Sequence, residues 1–304
     1  MLANTTAGGR AASLARLFAV LVALAALFSV LVACSNSEEE SAEGEATTSE
    51  NTGDEPRVVA LDWRYEEILV DLGIEPVGIA EIGDSKLPPT LEGKISEDVT
   101  SVGQAKQPNL EVIESLEPDL ILASPTRHAD ILDTLKGIAD TEAYDDSTFE
   151  AVLDSVDEIA AKVGKEDKAQ EIRDRIQSKI EQASEAVEPG TRAAVIGWSK
   201  DTLYTWVRES FPGSLLEAVG YEYGYDGEKS NIESKTDVAE LTGDKLPDMN
   251  LDIMYLYNDQ EGFRSSPWAD VVDNVVDVDQ DVWSRARGTL SAEAMLDQII
   301  EENS

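Results

Sequence analysis

Between residues 147 and 187 apolar side chains recur every three or four positions. Val152, Val156 and Ile159 are followed, after Gly164, by Ala169, Ile172, Ile176, Ile180, Ala183 and Val187, with charged residues between them. That spacing gives a helix one buried and one solvated face, so it predicts two consecutive helical segments. Ser147 is the expected N-cap, with Glu150 three residues later completing a capping box, and Pro189-Gly190 ends the run. On either side, short apolar runs alternate with helical patterns. Val58 to Leu61 reads as a strand, Tyr65 to Leu72 as a helix stopped at Gly73, and Pro76 to Ala80 as a second strand. Strand, helix and strand in so short a span make a βαβ unit with parallel strands. The pattern predicts an α/β fold. Two lobes (residues 56–146 and 191–304), each a mostly parallel sheet flanked by helices, are joined by a long helical spine over residues 147–190, with a ligand cleft between the lobes. The alternative is one domain carrying a long surface helix.

The first 55 residues read differently. Arg10 and Arg16 precede an uncharged apolar run from Leu17 to Ala33 that ends in Leu31-Val32-Ala33-Cys34. Positive residues before a short apolar run closed by small residues mark a secretory signal, here residues 1–33. Leu-Val-Ala-Cys resembles the lipobox of bacterial lipoproteins, which implies cleavage before Cys34 and lipidation of its thiol; a retained membrane anchor is the alternative. Cys34 is the only cysteine, so an intrachain disulfide is excluded. After Cys34, residues 35–55 are mostly Ser, Thr, Glu, Gly and Asn with no large apolar side chain, so residues 34–55 have the composition of an extended acidic tether.

The net charge of -38 changes the range of partners. Nucleic acid needs Lys/Arg patches to neutralise phosphate, so it is not an expected partner. Such a charge suits an extracytoplasmic protein kept soluble by self-repulsion, and dense carboxylates also suit a salt-adapted host. About 250 residues follow the tether, enough for two lobes with real cores.

Candidate site residues lie at strand-to-helix junctions, where ligands of open α/β sheets gather. Asp62-Trp63-Arg64-Tyr65 is the first junction, and Trp63 and Tyr65 either line a site or pack beneath the loop. Asn109 then caps a short helix in Gln107-Pro108-Asn109-Leu110-Glu111, and Glu117-Pro118-Asp119-Leu120-Ile121-Leu122-Ala123 runs into a buried strand. These stretches, with the βαβ unit before them, resemble the substrate-binding lipoproteins of bacterial ABC importers for ferric siderophores, cobalamin and haem. The resemblance runs from about Arg57 to the end of the chain. It implies two lobes on a helical backbone, and an Arg-His pair at the ligand, here Arg127-His128 after the strand. Arg127 would offer a fork of donors to anionic oxygens. His128, the sole histidine, either contacts ligand or caps a helix expected over Asp130 to Ile138.

In the second half, Ala193 to Trp198 and Leu203 to Val207 read as strands, and Pro212-Gly213 opens a helix closed by Gly220. Trp206-Val207-Arg208 resembles a Trp-x-Arg element of hydroxamate-binding relatives. Asp237 to Leu241 reads as a short helix matching the one at Asn109, and Asp252 to Tyr257 as a strand with Tyr257 at its cleft end. Ser266-Pro267-Trp268 opens a further helix. Asp281-Val282-Trp283-Ser284, followed by Gly288-Thr289-Leu290-Ser291-Ala292-Glu293, resembles the family's closing segment, but Arg285 and Arg287 occupy a loop that usually carries smaller residues. Arg64, Arg127, Arg208, Arg285 and Arg287 thus cluster at presumed loop positions of an acidic chain, and an aromatic-lined basic cleft would focus an anionic ligand.

The resemblance implies a lipid-anchored, monomeric binding component that captures a ferric siderophore at the outer face of the cell membrane. It would deliver the siderophore to an ABC permease driven by a cytoplasmic ATPase, with modest lobe closure. Ligand contacts would be Trp63, Tyr65, Arg127, His128, Trp206, Arg208, Tyr257, Trp283 and Arg285. Glu111 and Glu240 match the permease-docking glutamates, Glu240 shifted by one position. Walker, Gly-x-Ser-x-Gly and Cys-His signatures are missing, so no enzyme is expected. No cofactor and no protein-held metal are expected either, the iron arriving already chelated. Alternatives are a cobalamin or haem binder of the same fold, or a surface lipoprotein outside transport.

Overall fold

In the first strand Val58 and Ala60 enter one core while Val59 and Leu61 enter another. A strand buried on both faces belongs in a sheet covered on both sides, as parallel sheets are. The computed structural model describes residues 55–230 and 236–304. Cys34, the signal segment 1–33 and all of the tether 34–55 except Glu55 lie outside the described residues.

The first sheet is assembled from β1 (Val58–Ala60), β2 (Gly78–Glu81), β3 (Thr100–Gln104), β4 (Gln107–Pro108), β5 (Leu120–Leu122) and β6 (Asp140–Glu142). Its order is β4-β3-β2-β1-β5-β6, parallel apart from the β3–β4 hairpin. Helices α1 (Trp63–Asp71), α2 (Leu110–Ser115) and α3 (Leu132–Leu135) flank it. Asp62 caps α1 and Asn109 caps α2, each side chain accepting backbone N–H groups of the first turn.

The spine is two helices, α4 (Phe149–Val163) and α5 (Glu166–Ala186), separated by Gly164 in the left-handed conformation. The N-cap is Thr148, whose hydroxyl accepts from Ala151 N–H, and not Ser147; adjacent Ser and Thr are equivalent cap signals in sequence. Arg175 on α5 reaches Asp71 of α1 at 2.7 Å, bridging towards the second lobe.

The second sheet contains β7 (Arg192–Ser199), β8 (Thr202–Trp206), β9 (Glu222–Tyr223), β10 (Val238–Thr242), β11 (Ile253–Asn258) and β12 (Asn274–Asp277). The order is β10-β8-β7-β11-β12, with β7, β11 and β12 parallel and β9 adding to β7. Helices α6 (Phe211–Ala218), α7 (Gln260–Arg264) and α8 (Thr289–Glu302) complete the lobe, and a π-helical turn over Asp281–Ala286 precedes α8. Arg175 also donates to this lobe, its Nε–H reaching Glu293 of α8 at 2.6 Å. One continuous core runs from β1 and α1 through the spine to β7, β11 and α8.

Three expected helices differ. All of the expected Asp237–Leu241 helix except Asp237 lies in strand β10, antiparallel to β8, because β8 needs an edge partner and Val238 and Ala239 are buried there. The Asp130–Ile138 helix contracts to α3. No helix starts at Ser266-Pro267-Trp268; α7 precedes it, capped by Asp259, and Trp268 turns back against Gly243.

Candidate functional site

β1 leads through Leu61 to Asp62, which caps α1 and is wholly buried. The next turn brings Arg64 back onto it, with Nε at 3.1 Å and Nη2 at 3.0 Å from the two carboxylate oxygens, a fork-on-fork pair. Asp62 also receives Arg127 from the loop after β5, and Arg64 extends its other amino group to Asp146. Burial alone would raise the pKa of Asp62. The guanidiniums of Arg127, Arg64 and Arg287 overcome that effect and hold the carboxyl below the usual range. Burial would equally discharge Arg64, but Asp62 and Asp146 outweigh it and its pKa rises.

Arg64, Arg127 and Asp146 line a cavity of about 270 Å³ together with Ser124, Lys106 and Arg287. A second cavity of about 310 Å³ shares Lys106, Arg127 and Arg287 and adds Trp206, Tyr257 and Arg285. The two lobes therefore contribute opposite walls of one polar cleft, the first basic and the second aromatic as well as basic. Gly197 makes room for the Tyr257 ring, since a Cβ there would lie 2.5 Å from it.

Arg287 differs from the other arginines of the cleft. Arg285 pairs with Asp281 at 2.6 Å, and Arg64 and Arg127 share Asp62. Arg287 is buried, and among the described residues it has no carboxylate within ion-pair distance and its Nε has no hydrogen-bond partner. Its guanidinium lies 5.7 Å from the centre of the Trp206 ring, a cation–π contact. Burial, then the charges of Arg64 and Arg127, depress its pKa to about 10. A buried cation without a partner is unfavourable alone and favourable once an anion arrives.

The structure divides the residues expected at the site. Arg127, Trp206, Tyr257 and Arg285 come together on the cleft walls. Arg208 is placed in an adjoining depression of about 560 Å³ and is paired there with Glu217 and Asp226. Trp63, Tyr65, His128 and Trp283 are core side chains that line neither cavity. Trp63 Nε1–H donates to the Ala80 carbonyl at 3.1 Å and Tyr65 O–H to that of Ala123 at 3.0 Å, so α1 turns both rings under the sheet rather than outward. Trp283 stacks on Tyr255 with ring centres 4.4 Å apart and donates to Gln298. His128 accepts from Ser124 N–H on Nδ1 at 2.9 Å and donates from Nε2 to the Ala105 carbonyl at 2.6 Å. Its pKa is lowered, chiefly by burial, so this is a neutral ring that ties the Arg127 loop to the turn bearing Lys106. Sequence reasoning missed Asp62, Asp146, Ser124 and Lys106. Asp62 stood in the first junction, where an acid before a helix reads simply as a cap.

Two further buried acids lie on α1. Glu66 accepts from Ala80 N–H, and burial pushes its pKa well above the usual value. Glu67 is raised in the same way, against hydrogen bonds from Ser291 and Thr90.

Comparison with known proteins points the same way. The model of the periplasmic binding protein family matches residues 58–276. The Fe(3+)-citrate-binding protein YfmC of Bacillus subtilis is 28% identical over 94% of this chain and 97% of its own length. The putative ABC transporter substrate-binding lipoprotein YhfQ of the same organism is 31% identical over 81% of this chain and 83% of its own. Among solved structures, Staphylococcus aureus SirA complexed with staphyloferrin B superposes with a TM-score of 0.69 at 25% identity, covering 83% of this chain and 94% of SirA.

Proposed function

The chain belongs to the periplasmic binding protein family, a family of binding proteins and not enzymes, and on that premise we propose that it is the lipid-anchored ligand-binding component of an ABC importer. It takes an anionic ferric chelate into the cleft and delivers it to a membrane permease. The observation that carries this reading is Arg287, a buried guanidinium without a carboxylate partner among the described residues, facing Arg127 across the cleft. Arg287, Arg127 and Lys106 would meet the chelate's anionic oxygens, while Trp206 and Tyr257 pack on its organic scaffold and Arg285 closes the far end. YfmC and the SirA complex, named for ferric citrate and for staphyloferrin B, support a chelate rich in carboxylates. Cys34 would carry the lipid and hold the protein at the outer face of the membrane, in line with the lipoprotein YhfQ. The protein acts as a monomer, and its continuous core favours modest lobe closure.

The test is a tryptophan-fluorescence titration of the chain from Ser35 onward with ferric citrate, ferric hydroxamates, ferric catecholates, haem and cobalamin. Saturable quenching at sub-micromolar ferric citrate or another anionic ferric chelate is expected, because Trp206 lies on the cleft wall. Binding only of haem or cobalamin, visible as their absorption bands, or no binding by folded protein, would overturn the reading.

Docking is assigned to Glu111, exposed in the first turn of α2, and to Glu240, exposed on β10. Reversing Glu111 to lysine is expected to leave chelate affinity unchanged and to lower uptake by cells. Unaltered uptake would remove Glu111 from the docking face.

A further inference from the structure

Glu67 lies three residues after Arg64 on α1, in the first lobe, yet its carboxylate is occupied by the second. Oε1 accepts the Ser291 hydroxyl at 2.6 Å and Oε2 the Ser291 backbone N–H at 3.0 Å, while the Thr90 hydroxyl also donates to Oε1. Ser291 is in the first turn of α8, whose own N-cap residue, Gly288, provides no side chain. The second lobe's last helix is therefore capped in trans by an acid of the first lobe, where a carboxylate also complements the helix dipole.

Gly288 shows how close this joint is. A Cβ there would lie 2.5 Å from Glu67 Oε2, 2.8 Å from Glu67 Cβ and 2.9 Å from the Arg64 carbonyl oxygen. Only glycine allows the two backbones to meet so closely. The residue before Gly288 is Arg287, held in the left-handed region at φ 59°. Arg64, on one wall of the cleft, thus abuts Gly288 directly, and Arg287, on the other wall, is its covalent neighbour. The charges of Arg64 and Arg127 oppose that of Arg287, so holding all three on one cleft needs a rigid support.

We propose that Glu67 is a positioning residue for ligand binding: by capping α8 across the lobe interface it sets the place of Arg287 relative to Arg64 and Arg127. It touches no ligand. The anion-binding end of the cleft then sits at the joint between lobes and keeps its geometry. The inference rests on the reading of Arg287 as a ligand contact, and the experiment separates the two.

Two measurements on the full mature chain test it. The first is a crystal structure of ligand-free Glu67→Ala. Arg287 is expected to leave the face of Trp206, with Arg64 and Arg127 still on Asp62; an Arg287 unmoved over Trp206 overturns the proposal. Where Glu67→Ala does not fold, Ser291→Ala removes the hydroxyl half of the joint and is judged by the same criterion. The second measurement is ferric citrate affinity in Glu67→Gln, Arg287→Met and the double variant. Glu67→Gln is expected to lose about tenfold, the size of effect seen when an outer partner that orients a binding group is removed. The double variant should be no weaker than Arg287→Met alone, because Glu67 acts through Arg287. Losses that multiply, or an unchanged affinity in Glu67→Gln, overturn the positioning role. Arg175→Gln, which breaks a different contact between the same lobes, should lower the melting temperature and leave affinity unchanged. Loss of binding in Glu67→Gln without any in Arg287→Met would instead refute Arg287 as the ligand contact.

Discussion

Replacing Arg287 by methionine is expected to weaken binding of the ferric chelate about thirtyfold or more, and at the same time to raise the melting temperature of the ligand-free protein. Opposite signs follow from one fact. Arg287 is buried with its Nε unpartnered, and among the described residues it has no carboxylate within ion-pair distance. In the ligand-free state its charge bears the cost of desolvation and the repulsion of Arg64 and Arg127, which is why its pKa falls to about 10. Methionine keeps the apolar stem against Trp206 and removes the charge. Replacing poorly compensated buried charge by an apolar side chain of similar volume stabilises by about 1–4 kcal/mol in known cases, or about 2–4 °C per kcal/mol for a domain of this size. With the chelate bound, the same change removes one partner of a buried charge pair. That costs about 2–5 kcal/mol, a factor of about 30 to several thousand in affinity. Fluorescence titration and a thermal melt on the same sample check both. A lower melting temperature with intact affinity would mean that Arg287 is a structural cation whose partner lies within the protein.

Asp62→Asn should have the largest effect on stability. Asparagine is as good an N-cap as aspartate and has nearly the same shape, so the cap on α1 survives and only the charge is lost. Among the described residues, what remains is Arg64, buried, with Asp146 as its sole carboxylate, and Arg127 without one. Breaking a buried pair from one side costs about 3–5 kcal/mol, a large part of the about 5–15 kcal/mol that holds a typical domain. Urea unfolding should show a midpoint lower by that proportion. A pH dependence goes with it. The folded-state pKa of Asp62 lies below the unfolded value, so its contribution is complete above the normal aspartate range and is lost as pH falls through and below about 4. Glu66 and Glu67 act in the opposite sense. Their raised pKa values favour the protonated fold, and that contribution is lost as pH rises from the normal glutamate range. The difference between wild type and Asp62→Asn therefore isolates the acid limb, which should be shallower in the variant. Equal midpoints at neutral pH would show that the arginines do not depend on Asp62.

The helical spine, the parallel units and the position of the cleft were legible because each is written in local spacing. The apolar residues of α4 and α5 keep one face whatever lies opposite, and Gly164 marks the break by its conformation. The strand over Val238–Thr242 was not legible. Val238, Ala239 and Leu241 fit a short helix or a strand equally well, and the open edge of β8 decided between them. Thr148 capped α4 in place of its neighbour Ser147 for a reason no periodicity contains.

At the site, residue type and approximate place could be read, but not direction. The chain alone determined a two-lobed α/β fold with a strongly acidic composition, and its pattern pointed to arginines and aromatic residues near strand ends, although Trp206 and Tyr257 lie within strands and Arg64 in the first turn of α1. Only the tertiary structure decided that Trp63, Tyr65, His128 and Trp283 turn inward while Trp206 and Tyr257 line the cleft. It also decided which arginines are already satisfied. Arg208 and Arg285 meet acids of their own lobe, Arg127 meets Asp62 across 65 residues of sequence, and Arg287 meets no carboxylate among the described residues. Helix and strand propensity act over a few residues and leave a regular trace in the chain. The pairing of buried charges depends on distances set by packing between remote segments, and sequence order carries no record of those distances.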